Sequence, residues 1–252
     1  MASSINLSAY CTIYYILDLN NTTIMYYLKT FETAEEYNKI LFYPNILLSN
    51  NLLYFNGGGY TDLGLSSGTL WMKCNIGAKS ETDYGLYFQW GDTVGYTDST
   101  ASNLSIWQTS PFNGGDNNFN ITNAYNWNKI HTKNGVLNTD VDAAYVHTNG
   151  LAKMPTKEQY QELLDETTQS WEENFNGSGI NGVKFINKKN PSKYIFIPYT
   201  GYYWKYGRYN NYSFIWINGM ASERIDVFNI SEDNRILHLM ACCSSHIRGV
   251  LM

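Results

Sequence analysis

The chain has 252 residues, 17 Lys and Arg against 22 Asp and Glu for a net charge of −5, and 15% charged against 16% aromatic residues, with 22 Tyr and 7 Trp. A disordered tail has many charges and few aromatics, so a folded chain is expected; no Lys/Arg stripe is present, which excludes nucleic acid as the main partner. No run approaches the ~18 apolar residues that span a bilayer, so no membrane insertion is expected, and Met1-Ala2-Ser3-Ser4-Ile5-Asn6 lacks the basic and apolar stretches of a secretory signal.

Residues 1–56 form one compositional unit. Ala9 to Leu17 and Thr23 to Leu28 are β-branched and aromatic runs separated by Asp18-Leu19-Asn20-Asn21, the pattern of a hairpin. Thr33 followed by Glu36 makes a capping box, predicting a short helix from Ala34 that ends before Pro44. Residues 45–55 read as a strand pair broken at Ser49-Asn50-Asn51. Gly57-Gly58-Gly59 leaves the backbone unconstrained and marks a linker. The organisation is thus a β-rich module over 1–56, a linker at 57–59 and a larger domain over 60–252.

In that domain, Thr69 to Cys74 and Gly85 to Trp90 read as short strands. Residues 95–140 are rich in Asn, Ser, Thr, Gly and Asp with isolated Trp107, Phe112, Phe119, Tyr125 and Trp127, which predicts a long irregular loop region pinned by buried aromatics. A helix is predicted over 157–166, capped by Thr156 with Gln159 three residues on, stopped upstream by Pro155, and carrying Tyr160, Leu163 and Leu164 on one face. Strands follow at 182–186, 194–198, 213–217, 224–230, 235–240 and 246–251. The fold class is α+β, mostly antiparallel, with few helices.

Few motifs carry chemistry. Gly64-Leu65-Ser66-Ser67-Gly68 matches the G-x-S-x-G nucleophile pattern, but a strand-like segment follows where a helix is required. His131, His147, His238 and His246 lack metal-ligand spacing, and Asp140 and Asp142 form a lone D-x-D pair better suited to capping. Cys11, Cys74, Cys242 and Cys243 are too scattered for a disulfide framework and read as reduced thiols. No catalytic residue, metal site or cofactor is expected.

The informative segment is 199–216. It places Tyr199, Tyr202, Tyr203, Tyr206, Tyr209 and Tyr212, six tyrosines in fourteen residues, among Trp204, Asn210, Asn211, Ser213 and Trp216. Tyrosine offers a rigid apolar face with a hydrogen-bonding tip, and Asn and Ser add adaptable donors and acceptors. Two readings stay open at this point. These rings bind a ligand, or they fill the core of a β-rich domain, since alternate strand residues face inward.

Thr61-Asp62-Leu63-Gly64-Leu65-Ser66-Ser67-Gly68-Thr69-Leu70-Trp71, continuing through Cys74-Asn75-Ile76-Gly77-Ala78 and Tyr84 to Asp92, resembles the opening of the Fibrobacter succinogenes major paralogous domain family. Further blocks agree in order: Asp142-Ala143-Ala144 with Met154 to Leu164, Ile180 to Phe185 with Ile195 to Gly201, and the closing His246-Ile247-Arg248-Gly249-Val250. That family resembles the C-type-lectin-like fold of formylglycine-generating enzymes. The resemblance implies that the strand near Trp71 pairs with the final strand near Arg248, and that the segment 202–216 lies on an exposed loop face. Tyr202, Tyr203, Trp204, Tyr206, Tyr209, Asn210, Asn211, Tyr212 and Trp216 are then the expected ligand-binding residues.

The sequence also departs from its relatives. Adjacent Cys242 and Cys243 replace the spaced copper-binding pair of the oxidases, and Asn190-Pro191-Ser192 with Trp127-Asn128-Lys129 puts a lysine where a calcium-binding carboxylate belongs. The Tyr-Trp-Ser-Ser block of the family is altered to Phe214-Ile215-Trp216-Ile217. A lectin-like domain without an export signal fits a phage virion component, and the Asn-, Tyr- and Ile-heavy composition resembles crAss-like phages, whose capsids carry head fibres. The expected protein is a virion surface protein that docks to capsid or other virion proteins through residues 1–56 and touches host glycans, with a bacterial adhesin or carbohydrate-binding module as the alternative. A shallow sugar site binds with a Kd near millimolar, about −4 kcal/mol; avidity from linked copies adds on the order of 10²–10⁴, so a homodimer or homotrimer is expected.

Overall fold

The computed structural model describes residues 59–101, 112, 121–204, 207–221 and 224–251, together with the backbone of strands at 4–8, 11–17, 23–30, 47–49 and 52–54. Strands β1 (Ser4–Ser8), β2 (Cys11–Leu17) and β3 (Thr23–Thr30) form an antiparallel sheet in that order, with Leu17 opposite Thr23. Strands β4 (Leu47–Ser49) and β5 (Leu52–Tyr54) make a second antiparallel pair. The hairpin and the strand pair expected here are present; the helix expected from Ala34 and the linker residues Gly57 and Gly58 lie outside the described residues.

From residue 59 on, the described chain is mostly antiparallel β-structure with few helices. Strands β6 (Tyr60–Asp62) and β7 (Leu70–Met72) pair antiparallel, and the turn between them is docked rather than free. Ser66 N–H donates to Glu166 (2.7 Å), while Ser67 donates its N–H (2.7 Å) and hydroxyl (2.6 Å) to Glu162. The short helix α1 (Asp98–Ala101) is followed by α2 (Ile121–His131). Helix α2 corrects the expectation of irregular chain across 95–140. Its three Asn and the β-branched Ile121, Thr122 and Ile130 carry weak helix propensity, and burial of Ala124 and Asn128 on one face supplies what propensity does not.

Hairpin β8 (Thr132–Lys133) and β9 (Val136–Leu137) leads to α3 (Ala143–His147) and α4 (Lys157–Glu166). The capping box expected for α4 is formed: Thr156 Oγ1 accepts from Gln159 N–H (3.4 Å), and Gln159 Oε1 accepts from Thr156 N–H (2.9 Å). Its inner face buries Tyr160 and Leu163, with Tyr160 edge-on to Trp71 (5.0 Å between ring centres) and stacked on Phe228 (4.6 Å).

Strands β10 (Thr167–Glu172), β11 (Gly182–Asn187) and β12 (Tyr194–Pro198) form one antiparallel meander. Strands β13 (Tyr202–Trp204) and β14 (Gly207–Tyr209) form a hairpin, and β15 (Phe214–Ala221), β16 (Arg224–Asn229) and β17 (Arg235–Leu239) a second meander. Strand β15 divides the core. Phe214 and Trp216 face a cluster around Phe88, Trp90 and Phe112, while Ile215 and Ile217 face one around Trp71, Phe185 and Phe228. Strand β18 (Val250–Leu251) then returns to the start, with Val250 opposite Trp71 and Leu251 opposite Leu70, giving the sheet order β18-β7-β6. The expected pairing of the last strand with the strand at Trp71 is therefore present. Among the described residues no helix is long and apolar enough to cross a membrane.

Candidate functional site

The β13–β14 hairpin sorts the expected ligand-binding residues by strand alternation. Tyr203 turns inward. It is buried, sits edge-on to Tyr87 (4.8 Å), and donates its hydroxyl to Asp98 Oδ1 (2.7 Å). Tyr202 and Trp204 take the other side with Tyr209, at ring separations of 5.4 Å for Tyr202–Tyr209 and 5.9 Å for Trp204–Tyr209. Phe214 backs this group, 5.1 Å from Tyr202 and stacked beneath Tyr212 (5.8 Å, 9° between planes). Tyr212 is 45% exposed, and Asn210 and Asn211 beside it are exposed. Tyr206 lies outside the described residues.

Two of the expected ligand-binding residues belong to the interior. Trp216 is fully buried, packs edge-on to Trp90 (6.0 Å) and donates its Nε1–H to Phe88 O (2.7 Å), because β15 is covered on both faces. Tyr203 anchors the hairpin instead of facing solvent. The face that remains consists of Tyr202, Trp204, Tyr209, Asn210, Asn211 and Tyr212. Half-buried rings fixed by their neighbours lose little freedom on binding, and the amides beside them supply donors and acceptors.

No protein-family model, curated protein or solved structure matches this chain.

Sequence reasoning missed the charged anchor under the hairpin. Arg208, paired across the strands with Tyr203, donates Nη1–H to Asp98 Oδ2 (3.3 Å) and Nη2–H to Thr200 O (2.7 Å), with its guanidinium 5.2 Å from the centre of the Tyr84 ring. Burial works against the Arg208 charge, but Tyr87, Tyr84 and Asp98 outweigh it and lift its pKa above the ordinary arginine value. The Tyr203 hydroxyl is pushed up to about 12 by burial and by its bond to Asp98. A signal did exist in the sequence: Arg208 is the first arginine of the chain and stands inside its most Tyr- and Asn-rich segment.

The remaining candidates have local structural partners. The Ser66 turn is held by α4 carboxylates, and the Ser66 bonds keep Glu166 below the usual carboxylate range. Asp142 caps α3 by accepting from Tyr145 N–H (3.2 Å), and also accepts from Met154 N–H (3.0 Å) and Asn218 Nδ2–H (3.2 Å). Asn128 accepts from Trp90 Nε1–H (3.0 Å), and Asn190 accepts from the N–H of Ser192 (3.2 Å) within its own turn. His147 sits 2.9 Å from Thr93 O, His131 stacks on Trp127, and His238 Nδ1 lies 2.8 Å from Asp226 Oδ1. Among the described residues no three His, Cys, Asp or Glu are grouped so as to hold a metal ion.

Proposed function

We propose that this chain is a non-enzymatic recognition protein, a phage virion surface component of the head-fibre or capsid-decoration kind. It presents a C-type-lectin-like domain for weak, multivalent binding of host glycans. The binding face is Tyr202, Trp204, Tyr209, Asn210, Asn211 and Tyr212. The observation that carries this reading is the division of the β13–β14 hairpin: Tyr203 and Arg208 tie it down through Asp98, and the opposite side gathers rings next to exposed amides. Tyrosine and tryptophan faces stack on the C–H faces of sugars, and amides bridge their hydroxyls.

Support for a lectin-like scaffold comes from the β7–β18 pairing, which brings the two ends of the domain side by side. The Asn-, Tyr- and Ile-heavy composition, which resembles that of crAss-like phages, supports the virion placement. Residues 1–56 attach the domain, and two or three copies supply the avidity that one shallow site lacks.

A glycan array probed with the full chain and with the double variant Tyr209→Ala/Tyr212→Ala tests the binding face. Wild type binds a subset of glycans and the variant, folded by circular dichroism, loses them; retained binding places the site elsewhere. Antibody labelling of purified particles in electron micrographs tests the placement, and unlabelled virions with labelled cell envelopes would favour a bacterial adhesin.

A further inference from the structure

We propose that the cleft on the Tyr203 side of the hairpin is a second site, built for one uncharged saccharide unit. The proposal rests on the glycan-binding reading above and extends it to residues outside the Tyr- and Asn-rich segment. The cleft is open, measures about 570 Å³, and is lined by Thr82, Asp83, Tyr84, Leu86, Asp98 and Ile180. That volume falls within the roughly 300–1,000 Å³ of small-molecule sites.

Its walls are set by two tight glycine turns. Gly77 has φ +80°, and a Cβ there would lie 2.5 Å from Leu86 Cγ. Gly85 has φ +77°, and a Cβ there would lie 2.5 Å from Ile76 O. Neither position accepts a side chain without moving a wall of the cleft.

The lining divides into an apolar side and an acidic rim. Leu86, Ile180 and Tyr84 provide the apolar side. Asp83 accepts from Lys79 N–H (2.9 Å) and Gly85 N–H (3.2 Å), one on each oxygen. Asp98 accepts from Tyr203 and Arg208, again one on each oxygen. A carboxylate has about four acceptor positions, so both retain capacity for hydroxyl donors. The guanidinium at this rim is Arg208, and its charge already serves Asp98 and Thr200.

Among the described residues, two carboxylates against one guanidinium leave the rim acidic. A sugar carrying a carboxylate is repelled, whereas a neutral pyranose sets a C–H face on the apolar side and donates hydroxyls to Asp83 and Asp98. The cross-strand pair Tyr203–Arg208 faces Asp98, and the next pair, Tyr202–Tyr209, faces the aromatic patch. The hairpin thus has the cleft on one side and the aromatic patch on the other.

Saturation-transfer NMR on the full chain, with N-acetylglucosamine, galactose and mannose as neutral probes and glucuronic acid as the acidic one, tests this directly. Thr82→Trp fills the cleft; Ile180→Trp does the same should the first variant fail to fold. The filled variant is expected to weaken binding of the preferred neutral sugar at least tenfold. Asp98→Asn leaves Arg208 without its counter-charge and is expected to shift the neutral-to-acidic preference at least tenfold toward glucuronic acid. Undiminished neutral-sugar binding in the filled variant, lost instead in Tyr209→Ala/Tyr212→Ala, overturns the cleft site and leaves the aromatic-face reading standing. Equal binding of glucuronic acid by wild type overturns the charge selection. Wild type that is silent toward every saccharide, here and on the array, overturns both sites together.

Discussion

Arg248, fully buried, donates its Nε–H to Asn75 Oδ1 at 3.0 Å, and its two terminal nitrogens donate to Met72 O and Phe196 O, each at 3.0 Å. The guanidinium thus joins the closing segment to β7, to β12 and to the turn at Asn75. Burial depresses its pKa, so the charge is held by carbonyl and amide dipoles arranged to fit a planar fork. Arg248→Ala leaves three buried acceptors unpaired at about 1–3 kcal/mol each, and is expected to cost upward of about 3 kcal/mol. Arg248→Lys, a point charge without the fork, should recover only part of that. Urea denaturation checks both, and a loss under about 1 kcal/mol for the alanine variant would mean that the clamp is dispensable.

Gly91 and Trp127 illustrate a different constraint. Gly91 has φ +70°, and a Cβ there would sit 2.0 Å from Trp127 Cη2, in the contact that docks α2 against the loop after Trp90. Gly91→Ala must both strain the backbone and displace the indole, which also packs against Phe112 (5.4 Å). The expected loss is about 2 kcal/mol or more, accompanied by a change in near-UV circular dichroism from the Trp environment. A variant with wild-type stability and spectrum would show that α2 is not seated on Gly91.

The sequence made α4 legible because its signals are local: Pro155, Thr156 and Gln159 lie within one turn of its start. Strands β11, β12 and β15 to β17 follow runs of β-branched and aromatic residues; β10 and the hairpin β13–β14 lie outside the expected strands, since Thr167–Glu172 carries no apolar alternation and Gly207-Arg208-Tyr209 has no β-branched residue. Helix α2 was hidden because its inward residues, Ala124, Trp127 and Asn128, are individually poor evidence of a helix and matter only against Trp90 and Phe112. In the candidate site the aromatic composition was visible but its inside and outside were not. Phe214-Ile215-Trp216-Ile217, four apolar residues in a row, does carry the mark of a strand covered on both faces. The inward turn of Tyr203 depends on Asp98, which is 105 residues away and has no local signature.

Acid should unfold this protein in part through His246. The ring is fully buried between Tyr87 (4.0 Å) and Tyr84 (6.4 Å), with Nδ1 3.0 Å from Leu86 O. Burial is the main force holding its pKa down to about 3, with Arg208 and Arg248 adding to it and the Leu86 carbonyl opposing. The unfolded chain binds a proton at this residue below pH ~6.5 and the folded chain only below about 3, so stability falls as pH falls through that window. The slope approaches about 1.4 kcal/mol per pH unit. His246→Asn keeps an N–H donor for Leu86 O and removes the titration. Between pH 7 and 4.5 its stability loss in urea melts should be smaller than wild type by about 2–3 kcal/mol, whereas parallel losses would show that His246 is not the group responsible.

The cysteines give the clearest separation between a recognition protein and a thiol oxidase. Cys74, Cys242 and Cys243 are free and buried. Burial pushes the Cys74 thiol up to about 11 and, with the Cys242 contact adding to it, lifts Cys243 well above its ordinary value. A thiol must be both ionised and reachable to act as a nucleophile; burial denies access to all three, and Cys74 and Cys243 also resist ionisation. Iodoacetamide at pH 8 is expected to leave all three unmodified in the folded chain and to alkylate all three after unfolding in urea, read peptide by peptide in the mass spectrometer. Alkylation of Cys242 or Cys243 in the folded protein at the rate of a free thiol would reopen redox chemistry at the one place where two sulfurs are adjacent, and would count against a purely binding role.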